Sequence, residues 1–192
     1  MRYKSDMPRA LLTVLAAFAA IAFAAHAADQ MEAPKEMTVL TVTGEIGNTN
    51  RGAFDSDKDS LFSRLNIAFD RAFAFDRPML LRLKQGRVVA KTTELGRDAV
   101  FTGPLLKEVL AAVGAAPAKL SVVAVNNYEG WLAPEDIDGS DWILALEVDG
   151  APLGLGQQGP IWLINTRAAD FKPDDTQHAH WVWAVFYMRV GD

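Results

Sequence analysis

The sequence predicts an α+β domain in which β-structure dominates. Short segments rich in β-branched residues recur from Met37 to the C-terminus, and Gly, Pro, Asn and Asp separate them. Two amphipathic helical patterns interrupt these segments near the middle of the chain. The combination favours one mixed-sheet domain with a few inserted helices.

The N-terminus has the layout of a secretory signal peptide. Three basic residues precede an apolar run at 10–25, and Ala25-His26-Ala27 then follows the small-x-small cleavage pattern. We expect cleavage after Ala27, a tail at 28–36, a domain at 37–192 and export to the periplasm. The alternative is an uncleaved membrane anchor, for which the run is short of the roughly 20 residues that span a bilayer.

The first half of the domain contains one clear strand and one amphipathic pattern. Met37–Ile46 alternates and predicts a strand, and the polar stretch Asn48–Lys58 predicts a loop. Apolar residues spaced by four predict a helix over Asp59–Phe75. Met79–Lys91 then resembles a β-hairpin that turns at Gln85-Gly86.

The second half begins with a helix and continues with strands. Thr102 is the expected N-cap, Pro104 suits the first turn, and Gly114 ends the helix. Asp149-Gly150 is typical of a tight hairpin turn. Strands are expected at Leu120–Val125, Trp142–Val148, Ala151–Leu155, Ile161–Asn165 and Trp181–Val190.

Composition excludes several classes of function. The chain has no cysteine, which removes thiol nucleophiles, thiolate metal ligands and redox dithiols. The formal net charge of −5 argues against nucleic acid and anionic lipid as partners. Gly154–Gly159 imitates a dinucleotide fingerprint, but Pro160 follows and no helix pattern supplies the N-terminus that would hold a pyrophosphate.

Metal and acid–base chemistry have weaker candidates. His178 and His180 share one face of an extended segment and could form a metal pair, but the spacing fixes no third strong ligand, so a solvated loop is the favoured interpretation. Sequence alone does not show a perturbed carboxyl group. The candidate carboxylates are Glu94, Glu129, Asp136, Asp138 and Asp141.

The stretch VVAVNNYEGWLAP, which begins at Val122, ends an apolar strand in two amides, a phenol, a carboxylate and an indole. We place Trp131 in the loop that follows, whereas Trp142 and Trp162 are expected in the core. Two interpretations of Trp131 stay open. Its ring either stacks on a flat heteroaromatic ligand or plugs the loop onto the domain.

The order of motifs resembles the molybdopterin-binding domain of the sulfite oxidase family. The resemblance covers nearly all of the chain beyond the signal peptide. The segments that carry it are LTVTGEI (Leu40–Ile46), FTGPLLKEVL (Phe101–Leu110), VVAVNNYEGWLAPEDI (Val122–Ile137), ILAL (Ile143–Leu146), DGAPL (Asp149–Leu153), GPIWLIN (Gly159–Asn165) and HWVWAVFYMRV (His180–Val190).

Catalytic members of this family ligate molybdenum with a cysteine before the second helix. The corresponding stretch here, Val89–Gly96, carries Thr92, Thr93 and Glu94 instead. Short, exported, cysteine-free chains of this type resemble periplasmic pterin-binding proteins. The resemblance therefore implies a receptor for reduced pterins, with no tightly bound cofactor. It also implies a partner, the periplasmic region of an inner-membrane GGDEF/EAL-type cyclic-di-GMP cyclase/phosphodiesterase.

The resemblance also implies a ligand site. Glu94 would accept the paired donors of the pterin edge, Asn127 would donate and accept, and Arg167 would donate to the pterin carbonyl. Tyr128, Trp131 or Trp181 would stack. The complete predicted set is Thr92, Thr93, Glu94, Asn126, Asn127, Tyr128, Trp131, Arg167 and Trp181. Two alternatives stay open. One is a molybdopterin-dependent oxidoreductase or its cofactor-binding subunit, and the other is a protein–protein adaptor with a vestigial pocket.

Overall fold

Eleven strands and four short helices make up the part of the chain that the structure, a computed structural model, describes: residues 32–139, 141–165 and 181–192. The strands are β1 (Thr38–Gly44), β2 (Phe73–Asp76), β3 (Gln85–Lys91), β4 (Asp98–Pro104), β5 (Leu120–Ala124), β6 (Glu129–Leu132), β7 (Trp142–Ala145), β8 (Glu147–Val148), β9 (Ala151–Pro152), β10 (Trp162–Asn165) and β11 (Val185–Val190). The helices are α1 (Ser60–Arg64), α2 (Arg77–Arg82), α3 (Leu106–Ala112) and α4 (Pro134–Asp138).

The largest sheet has the strand order β2-β1-β11-β5-β6. β1 and β11 are parallel, and the other neighbours are antiparallel. Alternate residues of this sheet face opposite sides, as a pleated strand requires. Val122 and Met188 belong to a first cluster of buried residues, which also contains Leu40, Val42 and Leu106. Their neighbours Val123 and Tyr187 form a third cluster with Phe62.

Two smaller sheets complete the fold. β3, β4, β8 and β9 form one of them, and β7 pairs with β10 in the other. Leu144 and Leu163 of the two-stranded sheet join the first cluster. Ile143 and Trp162 on its other face join a second cluster, which also contains Val88 and Phe101. The two-stranded sheet therefore separates the first cluster from the second.

The predicted helix over Asp59–Phe75 is wrong in its second half. The helix ends after Arg64, and Asn66 adopts a left-handed φ of 54°. Phe73–Asp76 then forms strand β2, in which every residue is buried. The sequence of a strand that is buried on both faces is a continuous run of apolar residues. Within such a run, apolar residues four positions apart do not distinguish a helix from a strand.

The predicted hairpin at Gln85-Gly86 is also wrong. Asp76 accepts a hydrogen bond from the Met79 backbone N–H at 2.8 Å and Pro78 lies in the first turn, so the segment before Gln85 is helix α2. β3 pairs with the following strand β4.

Thr102 and Pro104 belong to β4 and not to the following helix. α3 begins at Leu106 without a side-chain cap, and the Thr102 hydroxyl donates to Glu147 at 3.4 Å. Two other expectations for the second half are confirmed. Gly114 follows α3 with a φ of 63°, and Asp149-Gly150 forms the turn between β8 and β9. The last strand starts at Val185 and not at Trp181, after Ala184 takes a φ of 54°.

Among the residues that the structure describes, no helix has the length and apolar character needed to cross a membrane.

Candidate ligand-binding site

The turn between β3 and β4 carries the first group of predicted ligand residues. Thr92 is buried, and its hydroxyl oxygen accepts a hydrogen bond from the Leu95 backbone N–H at 3.1 Å. The Thr92 carbonyl accepts another from the Gly96 N–H at 2.9 Å. Thr92 therefore holds the turn together, while Thr93 and Glu94 are exposed at its tip.

The turn between β5 and β6 carries the second group. The side-chain oxygen of Asn126 accepts the Tyr128 backbone N–H at 3.1 Å, which is the hydrogen bond of an Asx turn. Asn127 adopts a φ of 68°, a conformation that Asn tolerates better than most residues. Asn126 and Asn127 thus stabilise the turn, and the side chains of Asn127 and Tyr128 are exposed to solvent.

Trp131 lies on strand β6 and not in the loop where the sequence placed it. It is half exposed, its cross-strand partner is Ser121, and the Lys119 ammonium lies 5.7 Å from the ring centroid. Leu132, the next residue, is in the first cluster. The Trp131 ring therefore faces the opposite side of the sheet, away from that cluster.

Trp181 packs against both the first and the second cluster, and Leu95 of the β3–β4 turn packs against the second. The segment after Trp181 also runs beside the β5–β6 turn, since the Val125 N–H donates to the Ala184 carbonyl at 3.0 Å. Trp181 is thus related to the β3–β4 turn through the second cluster, which Leu95 also contacts. It is related to the β5–β6 turn through the hydrogen bond between Val125 and Ala184. Arg167, like His178 and His180, lies outside the described residues.

The residues of the β3–β4 turn are not suited to act as molybdenum ligands. The chain has no thiol, and the one buried hydroxyl of the turn, that of Thr92, is engaged by the Leu95 N–H. Exposed Thr93 and Glu94 offer hard oxygen donors in place of a soft thiolate. Elsewhere in the described chain, no group of three His, Asp or Glu residues is placed to hold a metal ion.

Two of the carboxylates considered for acid–base chemistry have structural roles. Asp136 accepts the Ala133 backbone N–H at 3.1 Å and caps α4. Asp141 accepts a hydrogen bond from Lys107 at 2.7 Å, and this bond raises the pKa of Lys107. These contacts do not bring the two carboxylates together at one reaction centre.

Two clefts among the described residues were not predicted from the sequence. One, of about 190 Å³, lies beside α3 and α4, with Lys107 and Ile137 in its wall. The other, of about 280 Å³, is the β1–α1 cleft. Its lining residues are Met37, Thr38, Val39, Thr41, Arg51, Leu61, Phe62, Val125, Leu155, Pro160 and Phe186. None of the predicted ligand residues lines either cleft, although Val125 directly precedes Asn126.

The fold is similar to that of a known enzyme chain. The crystal structure of the sulfane dehydrogenase SoxCD from Paracoccus pantotrophus matches with a TM-score of 0.54 and 16% sequence identity. The match covers 84% of this chain and 40% of that chain, so this protein spans well under half of its length. No family model and no curated protein match the sequence. The likeness supports a distant fold of the molybdopterin-binding type, which is α+β and mostly β.

Proposed function

We propose that this protein is a periplasmic pterin-binding protein without catalytic activity, which relays pterin levels to an inner-membrane cyclic-di-GMP cyclase/phosphodiesterase. The observation that carries the proposal is the pairing of a molybdopterin-type fold with an exposed carboxylate, Glu94. The sequence resemblance aligns the turn that carries Glu94 with the cysteine of catalytic family members. A site that loses its metal ligand but keeps its pterin-recognising groups becomes a receptor. The fold alone does not assign this function.

The chemistry of the two turns supports this ligand class. A pterin presents two adjacent N–H donors on one edge, and a carboxylate such as Glu94 accepts both. Asn127 carries a donor and an acceptor, while Tyr128 and Trp181 offer aromatic faces. Thr92 and Asn126 act indirectly, because their side chains hold the turns that present these groups. Arg167 is proposed from the sequence motif alone.

Two other functions remain in competition. The likeness to SoxCD favours, weakly, a molybdopterin-dependent oxidoreductase subunit, for which stoichiometric molybdenum in protein purified from the native host is the test. An adaptor with a vestigial pocket would bind its partner protein and no pterin. Metal analysis and pterin titration therefore separate the three.

The deciding experiment is calorimetric titration with reduced and oxidised pterins. We expect at least micromolar affinity in metal-free protein, and Glu94→Gln should weaken it by about 1.5–3 kcal/mol, as for a hydrogen bond to a charged group. Glu135→Gln, a change of another exposed carboxylate on α4, is the matched control and should bind like the wild type. The absence of binding by every pterin would overturn the proposal, and an unchanged affinity in Glu94→Gln would remove Glu94 from the site.

A further inference from the structure

We propose that the β1–α1 cleft is a second binding site, separate from the pterin site, for a small uncharged aromatic molecule that carries a hydrogen-bond acceptor. The cleft opens on the face of the five-stranded sheet that carries the third cluster, and Phe62 belongs to both. Trp181 packs on the other side of that sheet, against the first cluster. None of the described residues proposed for the pterin site lines the cleft, so the two sites have different walls.

The rim of the cleft is unusually apolar for an exposed surface. Met37 is 70% exposed, Leu155 is 64% exposed and Leu61 is 38% exposed, and all three line this one cleft. Exposed apolar side chains that converge on one place indicate a binding surface, whereas scattered ones do not.

The wall of the cleft is shaped by an irregularity in β11. The register between β11 and β5 shifts between Val185 and Tyr187, so that Phe186 lies at a bulge. A bulge redirects a side chain relative to the regular pleat. Phe186 here lines the cleft beside Phe62, with ring centroids 5.4 Å apart, and the two rings form an aromatic wall.

A threonine hydroxyl also lies in this wall. Thr41 is 2% exposed and lines the cleft, and its side chain makes no hydrogen bond to the described residues. Its neighbour on the same face of β1, Thr43, is paired with the Tyr187 hydroxyl at 2.6 Å. No described residue bonds to the Thr41 hydroxyl, which can therefore donate to or accept from a ligand in the cleft.

Arg51 supplies further donors. One terminal nitrogen of its guanidinium group pairs with Asp59, and the group lies 5.4 Å from the Phe62 ring centroid and 5.0 Å from that of Phe69. Its other side-chain N–H groups make no hydrogen bond within the described part of the chain. Because Asp59 already balances the positive charge, these donors suit a neutral acceptor such as a carbonyl better than a second carboxylate.

Size and lining together define the ligand class. The cleft volume of about 280 Å³ is near the lower end of small-molecule sites, which start at about 300 Å³. A bicyclic aromatic ketone therefore suits it. No carboxylate lines the cleft, so the paired donors of a pterin edge find no carboxylate to accept them there.

The probe is 1-tetralone, a bicyclic aromatic ketone, titrated into ¹⁵N-labelled protein and followed by amide chemical shifts. Tetralin, which lacks the carbonyl, and tetralin-1-carboxylate, which adds a charge, are the matched probes. We expect tetralone to shift the amides of Thr41, Arg51 and Phe186 and to bind more tightly than either of the others. The absence of tetralone binding, shifts confined to other parts of the protein, or equal binding of tetralin would each overturn the proposal.

Thr41→Val separates a ligand role from a structural one. Valine keeps the shape of threonine, and the hydroxyl that it removes has no partner among the described residues. The melting temperature should therefore be unchanged or raised. Tetralone affinity should fall about two- to twelvefold, which corresponds to the loss of one neutral hydrogen bond. Unchanged tetralone affinity in this folded variant would remove the hydroxyl from the site and contradict the proposal.

Leu155→Asp tests the apolar rim, and Val89→Asp, a change of an exposed valine on β3, is its control. Leu155→Asp should abolish tetralone binding, and Val89→Asp should not change it. Pterin titration of Leu155→Asp should match the wild type. Failure of pterin to bind the wild type would overturn the proposed function without affecting the result for tetralone.

Discussion

Asp76 illustrates how much one side chain contributes to the fold. It is buried, and its carboxylate accepts the backbone N–H groups of Lys35 at 2.7 Å, Glu36 at 3.1 Å and Met79 at 2.8 Å. It thereby caps α2 and fixes the chain that enters β1. Asp76→Asn keeps the size but offers fewer acceptor sites, so we expect a loss of about 1–3 kcal/mol in the free energy of unfolding at pH 7, measured by urea denaturation.

The contribution of Asp76 to the free energy of unfolding should depend on pH. Burial opposes ionisation of this carboxyl, but the three backbone N–H donors outweigh it and hold its pKa below the usual value. A lowered folded-state pKa contributes stability that is present above the unfolded pKa of about 3.9 and is lost as the pH falls through the folded value. The difference between the wild type and Asp76→Asn should therefore shrink below about pH 4. A difference that stays constant down to pH 2 would contradict this linkage.

Trp131 shows the limit of inference at the residue scale. The sequence singled out Trp131 but placed it in a loop, whereas its pairing with Ser121 across the β5–β6 hairpin sets the direction of its ring. Since Trp131 is half exposed, Trp131→Ala should change the free energy of unfolding by less than about 1 kcal/mol. Pterin titration then tests its predicted stacking role. Wild-type affinity in this variant would remove the Trp131 ring from the pterin site.

The elements were predictable where a local signal determines them. Gly114 after α3, the Asp149-Gly150 turn and the alternation in β1 each have a cause within a few residues. The second half of the Asp59–Phe75 prediction failed because β2 is buried on both faces by tertiary contacts. The short helix α2 had a local signal in Asp76 and Pro78, but the segment that follows was assigned to a hairpin.

Gly103 marks a close approach between two strands, β4 and β7. A Cβ atom at this position would lie 2.0 Å from the Leu144 carbonyl oxygen of β7. Gly103→Ala must push β4 away from β7, and since backbone cannot move aside like a side chain, we expect a loss of about 3 kcal/mol or more, beyond ordinary overpacking. Gly52→Ala is the control, since no atom lies within 4 Å of its added Cβ. Equal melting temperatures of the two variants would show that β4 and β7 are not in tight contact.

At the scale of the whole molecule, the order of motifs predicted the type of fold, while the sheet topology did not follow from any motif. The parallel pairing of β1 with β11 joins the two ends of the described chain, and a two-stranded sheet separates the two main clusters. Such long-range pairings depend on which faces bury each other, and no local pattern encodes them. The β1–α1 cleft was missed for the same reason, because its walls come from distant segments.

The proposed relay makes a prediction that only the assembled system can test. If pterin changes the affinity of this protein for the periplasmic region of its partner, the partner must change the pterin affinity by the same factor, because the two equilibria are linked. We expect a coupling of about 5-fold or more, measured by titrating each ligand in the absence and presence of saturating amounts of the other. Equal affinities with and without the second ligand would contradict the proposed relay but not the proposed pterin site. Partner binding in a protein that binds no pterin would instead favour the adaptor, so the two halves of the proposed function can fail separately.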